Sequence, residues 1–262
     1  MAQLIVLKQH IKTIEMFRKT TNAMRLISMS HHTRTRQYKA AFDVFYQEVE
    51  RLYGTVGLVD THAKNLHSPR YIFVVGSHKG VCGTFNTLLL QYVRKNLDSI
   101  NTTNRAVLSV FGHQCVELIK EQNLAAQTMV GALSLSTLQS SMRIIVDAYE
   151  TLQEDEYIVI YSNYPKSFFV QKQRTTVLIK KTIFASKQQQ VIHKMYLEAQ
   201  IQKVLLDSLA AEFSARFVSM DTSTQNAEKI IAQLKLDYNK LRQASITKEL
   251  IDLTATLVGL PD

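Results

Sequence analysis

A chain of 262 residues with 46% apolar composition can bury a core as one domain or two. Its net charge of +9 calls for an acidic counterpart, whether nucleic acid, a lipid surface or an acidic protein face, and charge does not choose among them. No apolar run is long enough to span a bilayer, and the opening MAQLIVLKQHIKTIE keeps its apolar block to Leu4–Leu7, which argues against a membrane helix or secretory signal and for a bacterial cytoplasmic setting.

The first predicted element is a single long helix. Average usage would place roughly 18 Gly and 13 Pro in such a chain, yet there are 8 and 3, and the stretch from Met1 to Tyr53 contains neither. Apolar residues recur at Leu4, Leu7, Ile11, Ile14 and Phe17, then at Met24, Ile27 and Met29. The 3-4 spacing of the first four is that of a coiled-coil seam. A helix over this segment reaches roughly 80 Å at ~1.5 Å per residue. It is also basic, with Lys8, Lys12, Arg18, Lys19, Arg25, Arg34, Arg36 and Lys39 against Glu15 alone, an imbalance that suits an acidic surface.

The middle of the chain changes pattern. Tyr71–Val75 reads as a strand, then a glycine-dense turn from Gly76 to Gly83, then a helix over Thr84–Asn96. A strand over Ala106–Phe111 and a helix over Gln114–Glu121 follow. Beyond them come a helix over Leu135–Leu152 and strands over Glu156–Tyr161 and Thr175–Ile183. This alternation predicts a small, open, Rossmann-like sheet with helices packed on it. From Lys187 to Val258 Gly and Pro are again absent, and Val204, Leu205, Leu209, Phe213 and Phe217, then Ile230, Leu234, Tyr238 and Leu241, then Leu250, Leu253 and Leu257 recur by threes and fours. That helix reaches roughly 105 Å, and Gly259 with Pro261 supplies its stop.

The expected fold is therefore α/β plus a long antiparallel coiled coil: a first helix over 1–55, a central α/β domain over 68–186, and a second helix over 187–258 pairing with the first. A middle of ~120 residues has a radius of gyration near 14 Å. It cannot cover either helix, so the helices must cover each other.

Chemistry is harder to find. The turn Gly76-Ser-His-Lys-Gly-Val-Cys-Gly83 lies between a strand and a helix, where a phosphate-cradling loop would stand. It lacks both the Gly-Lys-Ser/Thr ending of a P-loop and the spacing of a dinucleotide fingerprint. A tight turn presenting His78 and Lys79 is the expectation. Cys82 and Cys115 are too few and too far apart for a metal or redox motif and read as buried free thiols. His31 and His32 are adjacent and diverge on a helix, and no other histidine has a partner at ligand spacing. No nucleophile motif is present. No catalytic residue, cofactor or metal is expected, and the chain is not an enzyme by itself.

Three segments resemble the γ subunit of F-type ATP synthase: IKTIEMFRKTTNAMRLISMSHHTR near the start, GSHKGVCGTFN in the middle, and AAEFSARFVSMDTSTQNAEKIIAQLKLDYNKLRQASITKELIDL toward the end. They occur in the family's order. The resemblance implies a central-stalk rotor whose paired terminal helices stand inside the α3β3 ring and carry torque from the membrane c-ring. It implies α, β and ε subunits and the c-ring as partners, with no nucleic acid and one copy per complex. The complex would couple proton or sodium translocation to ATP synthesis or hydrolysis on the cytoplasmic face of the bacterial inner membrane. By the same resemblance, Arg242 and Gln243 match the family's pair that grips a β-subunit loop, and Thr247 and Glu249 match its I-T-x-E. Met24 matches the family's amino-terminal methionine, with Arg25 beside it. Arg18 and Lys19 face the acidic lever of β, and Lys79 takes the place of an arginine in the central turn, keeping charge without the planar fork. His78 stands where the family has aspartate and His31–His32 where it has small residues, and the stretch after Pro165 is shorter. The alternative reading is a basic coiled-coil nucleic-acid-binding protein, although aromatic residues are not interleaved with the basic ones as stacking platforms require.

Overall fold

The computed structural model describes residues 2–58, 68–99, 106–121, 128–153, 156–180 and 184–258. The elements are α1 (Ala2–Thr55), β1 (Ser68–Val75), α2 (Phe85–Ser99), β2 (Val107–Phe111), α3 (His113–Glu121), β3 (Thr128–Gly131), α4 (Leu138–Glu150), β4 (Glu156–Pro165), β5 (Gln171–Ile179) and α5 (Lys187–Val258). They form two compact units, one built from the chain up to Ile27 and from Val218 onward, the other from Ser28–Phe217.

The first unit is an antiparallel helix pair. Leu4, Leu7, Ile11, Ile14, Arg18, Thr21 and Arg25 form a half-buried or buried stripe of α1 that alternates steps of three and four. Met220, Thr224, Ala227, Ile231, Leu234 and Tyr238 do the same on α5. A 3.5-residue period keeps one stripe of each helix facing the other along the whole contact. The register is fixed by polar contacts. Arg25 reaches Asp221 at 2.6 Å and Arg18 reaches Glu228 at 3.1 Å. Lys235 meets Glu15 at 3.0 Å, and the hydroxyls of Thr224 and Thr21 meet in the seam at 2.9 Å.

The second unit holds a five-stranded sheet in the order β3-β2-β1-β4-β5. The first four strands are parallel and β5 runs antiparallel to β4. Successive strand residues face opposite sides, so β1 divides its apolar residues between two layers. Ile72 and Val74 join Leu89, Leu90 and Val93 of α2 and Val116 and Ile119 of α3 on one face. Phe73 and Val75 meet Ile145 and Tyr149 of α4 on the other, together with Phe42, Tyr46 and Val49 of α1 and Leu197, Ile201 and Leu205 of α5. Here the two long helices are therefore a layer of the sheet domain as well as a pair. Two glycines make the crest of the sheet possible. A side chain at Gly76 would collide with Cys115, and Gly112, at φ +95°, lies against the backbone of Ser77.

Several elements depart from the sequence expectation. Phe17, Met24, Ile27 and Met29 are exposed instead of lying in the seam, because Arg18, Thr21, Arg25 and Ser28 hold the phase set by Leu4–Ile14. On α5, Ile231 is buried and Ile230 exposed, and Leu250 and Leu253 are likewise exposed. β5 begins at Gln171 and ends at Ile179, earlier than expected, because β4 extends to Pro165 and a short turn returns the chain at once. Residues 181–183 of that expected strand, and the Gly259–Pro261 stop, lie outside the described residues. β3 was absent from the expectation: it is a four-residue edge strand with too short a pattern to register.

Candidate partner-binding site

The nine residues singled out in the sequence are not gathered in one place. Eight belong to the first unit and Lys79 to the second. Arg242, Gln243, Thr247 and Glu249 are all exposed on α5. The local helix orders them only lightly: Thr247 Oγ1 donates to the Gln243 carbonyl at 3.0 Å and Ser245 Oγ to Glu249 at 3.3 Å. The pairing register explains this exposure. With Arg25 at Asp221 and Arg18 at Glu228, the first turn of α1 reaches only the level of about Leu241–Ser245, so α5 runs on beyond the end of α1. Over that stretch Ile246, Leu250, Ile251 and Leu253 are all open, Leu250 at 57% and Leu253 at 60%. Exposed apolar side chains beside an arginine fork and a primary amide make a surface that can bury area and recognise a carboxylate or carbonyl together.

On α1, Met24 is exposed beside Leu26 and Ile27. Lys19 is also exposed. Arg18 and Arg25 are different, since their guanidiniums are held by Glu228 and Asp221 and line a polar recess of about 330 Å³ with Asn22 and Gln225. Both also bury their Nε, which has no hydrogen-bond partner among the described residues.

Lys79 presents its side chain to solvent while its backbone is locked. Its carbonyl accepts from Ser77 Oγ at 3.0 Å, Cys82 Sγ at 3.2 Å and an Arg216 guanidinium nitrogen at 3.2 Å. Arg216 also contacts Cys82 Sγ at 3.1 Å and pairs with Glu212 one turn earlier on α5. Burial raises the Glu212 carboxyl above its ordinary range against the pull of Arg216. Val81 takes φ +65°, an unusual conformation for a β-branched residue, within the same turn. Ligands of doubly wound sheets bind outside the carboxyl ends of the strands, at the switch point. In this chain α5 occupies that place, with Ala211 and Ala215 packed on Cys82 and Phe85. The glycine-dense turn is thus a socket for a helix.

Glu212, Arg216 and Asp207 were not singled out in the sequence. Glu212 and Arg216 carried a signal, the i,i+4 spacing of a helical ion pair inside AAEFSARF. Asp207 carried none. Its buried carboxylate is placed by tertiary structure between Lys39 of α1 at 2.5 Å and Arg174 of β5 at 3.1 Å. Cys82 and Cys115 are buried free thiols. Among the described residues no three His, Cys, Asp or Glu side chains are grouped to hold a metal.

The chain matches the ATP synthase family over residues 3–259. It is 30% identical to the ATP synthase gamma chain of Campylobacter lari, covering 97% of each chain, and 29% identical to that of Campylobacter concisus at the same coverage. The gamma chain of Rickettsia canadensis is 26% identical over 97% of this chain and 98% of its own. Among solved structures, a rotor chain of the Euglena gracilis mitochondrial ATP synthase superposes with a TM-score of 0.72 at 10% identity, covering 94% of this chain and 99% of that one. A chain from the central stalk and c-ring of the Tetrahymena thermophila mitochondrial enzyme superposes at 0.58 and 15% identity, over 78% of this chain and 98% of that one. The structural likeness shows the fold, the sequence match shows kinship, and the chain belongs to the ATP synthase family as a gamma chain.

Proposed function

We propose that this chain is the central-stalk rotor of an F-type ATP synthase, turning inside an α3β3 ring. It carries torque between that ring and a membrane c-ring, with ε as a further neighbour and one copy per complex. The subunit is non-catalytic. The observation that carries the reading is the end of α5, where a helix with an Arg-Gln pair runs on beyond α1 and exposes Ile246, Leu250, Ile251 and Leu253. Covered by a ring of alternating subunits, such an asymmetric helix meets three chemically identical sites in three different ways, and rotation becomes a change of nucleotide affinity at each.

In this reading Arg242, Gln243, Thr247 and Glu249 contact the ring, as do the exposed Met24 and Lys19 of α1. Arg18 and Arg25 contribute chiefly by holding register, and Lys79 offers a cation from its locked turn. The functional division follows the helices: 1–55 and 187–258 as shaft, 68–186 as the middle. The site of action is the cytoplasmic face of a bacterial plasma membrane, reached as part of the complex. Among the described residues no helix is long and apolar enough to cross a membrane. No observation favours the nucleic-acid reading.

Co-purification with tagged α and β subunits tests the proposal. One copy of this chain per three α/β pairs is expected, and failure to form any such complex overturns it. In the assembled complex, Arg242→Ala with Gln243→Ala should leave the melting temperature of the free chain unchanged. ATP-driven turnover should drop by on the order of tenfold, the loss of one charged, hydrogen-bonded contact of roughly 1.5 kcal/mol.

A further inference from the structure

His31 and His32 sit on α1 where the sheet domain's β4–β5 hairpin comes against the long helices. His32 is buried, at 9% exposure, and its ring meets the Phe168 ring edge to face at 4.9 Å. Phe168 in turn meets Phe217 of α5 at 5.2 Å, and His31 stacks on Phe213 at 5.1 Å with the planes 16° apart. Gln171, at the start of β5, binds Ser214 Oγ of α5 at 3.1 Å and the Phe168 carbonyl at 3.4 Å. The rest of the tip is open: Phe169 is 70% exposed, and Lys166, Ser167 and Val170 are exposed beside it. Beside the Gln171–Ser214 bond at its base, one aromatic ring thus holds the exposed tip of the hairpin to the helices.

We propose that His32 is a proton-operated clasp, its neutral imidazole holding Phe168 against α1 and α5 and its protonated form releasing the hairpin tip.

The electrostatic surroundings set the direction. α1 has no carboxylate between Glu15 and Asp43, and the charged groups that follow the ring along it are Arg34, Arg36 and Lys39, of which Arg36 acts on the ring and Lys39 is committed to Asp207. The hairpin from Tyr164 to Gln173 contributes Lys166 and Lys172 and no acid. From Ser208 to Phe217, α5 contributes only Glu212 and Arg216, already paired with each other. An imidazolium formed here is buried, has no free carboxylate to pair with, and stands beside Arg36. Burial, reinforced by Arg36, holds the His32 imidazole below its ordinary value. The closed state therefore favours neutral histidine, its stability is complete above the ordinary histidine range of about 6.5, and it is lost as pH falls through the lowered value. Release would expose Phe168 together with Phe169 and Val170, converting a small apolar tip into a larger adhesive one flanked by lysines.

The test is amide hydrogen exchange of residues 166–171 in the full chain at pH 7.5 and 5.5, corrected for intrinsic exchange, with NMR titration of the histidines. Protection at the tip is expected to fall on the order of fivefold at the lower pH while that of β1 and β4 holds. His32→Phe keeps the aromatic contact without a titrating group, so it should stay protected at both values. His31→Gln should retain the response. If wild-type protection does not change with pH, if His32→Phe opens equally in acid, or if the tip tightens in acid because the imidazolium is held over the Phe168 ring, the proposal is overturned.

Discussion

Arg216 is the side chain on which most depends for its size. It is held at once by Glu212, the Lys79 carbonyl and Cys82 Sγ, and so joins α5 to the turn after β1. Breaking a buried pair from one side costs more than the pair contributes, because the remaining charge stays in the protein. Arg216→Ala should destabilise the fold by about 3–5 kcal/mol because it removes all three bonds at once, against a smaller loss for Glu212→Gln, which leaves the guanidinium its bonds to the Lys79 carbonyl and Cys82 Sγ and an amide oxygen in place of the carboxylate. Thermal or urea unfolding of the two variants checks this, and equal losses would count against the asymmetry. Burial also governs the thiols. It pushes Cys115 up to about 12 and raises Cys82 despite Arg216, so neither presents thiolate at neutral pH.

At the scale of the helix, the instructive part is the seam that is not apolar. α1 begins with Leu4, Leu7, Ile11 and Ile14, continues in the same phase with Arg18, Thr21, Arg25, Ser28, His32, Thr35 and Lys39, and returns to Phe42, Tyr46, Val49 and Tyr53. Polar residues at seam positions specify register at a cost in stability. Thr21 and Thr224 illustrate the point: Thr21 donates to the Arg18 carbonyl at 3.0 Å, and the single proton of Thr224 is contested between its own helix, at the Met220 carbonyl at 2.8 Å, and the Thr21 oxygen across the seam at 2.9 Å. Replacing both by valine should leave the chain at least as stable as the parent. In a urea double-mutant cycle, the pair should be about 0.5–1.5 kcal/mol better than the two single losses added together.

The same stretch shows where reading the sequence succeeds and where it stops. The absence of Gly and Pro and the spacing of the first four leucines and isoleucines are local properties, and they located both long helices to within a residue or two. The phase through the middle was not legible. Apolarity pointed to Phe17, Met24, Ile27 and Met29, whereas the seam positions there are half-buried arginine and buried threonine and serine, chosen by partners on a helix some two hundred residues away. β5 was misplaced for a related reason. Its first half, Gln171–Arg174, is polar because it is the edge of the sheet, and only pairing with Ser162–Pro165 makes it a strand. Arg242 and Gln243 were named through resemblance alone, and their exposure was not legible, since it follows from the pairing register of the two helices. Asp207 was not, since nothing near it in sequence announces Lys39 or Arg174.

Taken as a whole molecule, the chain separates what holds it together from what it offers to others. The sheet unit buries its apolar residues in two layers, and the helix pair buries a narrow stripe, but the end of α5 buries little of its own. Side chains left largely exposed add little to stability, so an exposed apolar helix end points to something that covers it. Removing residues 246–262 should accordingly leave the melting temperature of the free chain within about 2 °C of the parent, since surface changes away from packed groups fall within about 0.5 kcal/mol. Helical signal should fall in proportion to the residues lost. The deficit should appear instead in the complex with α and β subunits, as weaker association or lower ATP-driven turnover. If truncation instead lowers the melting temperature steeply and leaves assembly untouched, the end of α5 is a structural strut, and the ring contact must be sought on the exposed face of α1 around Met24.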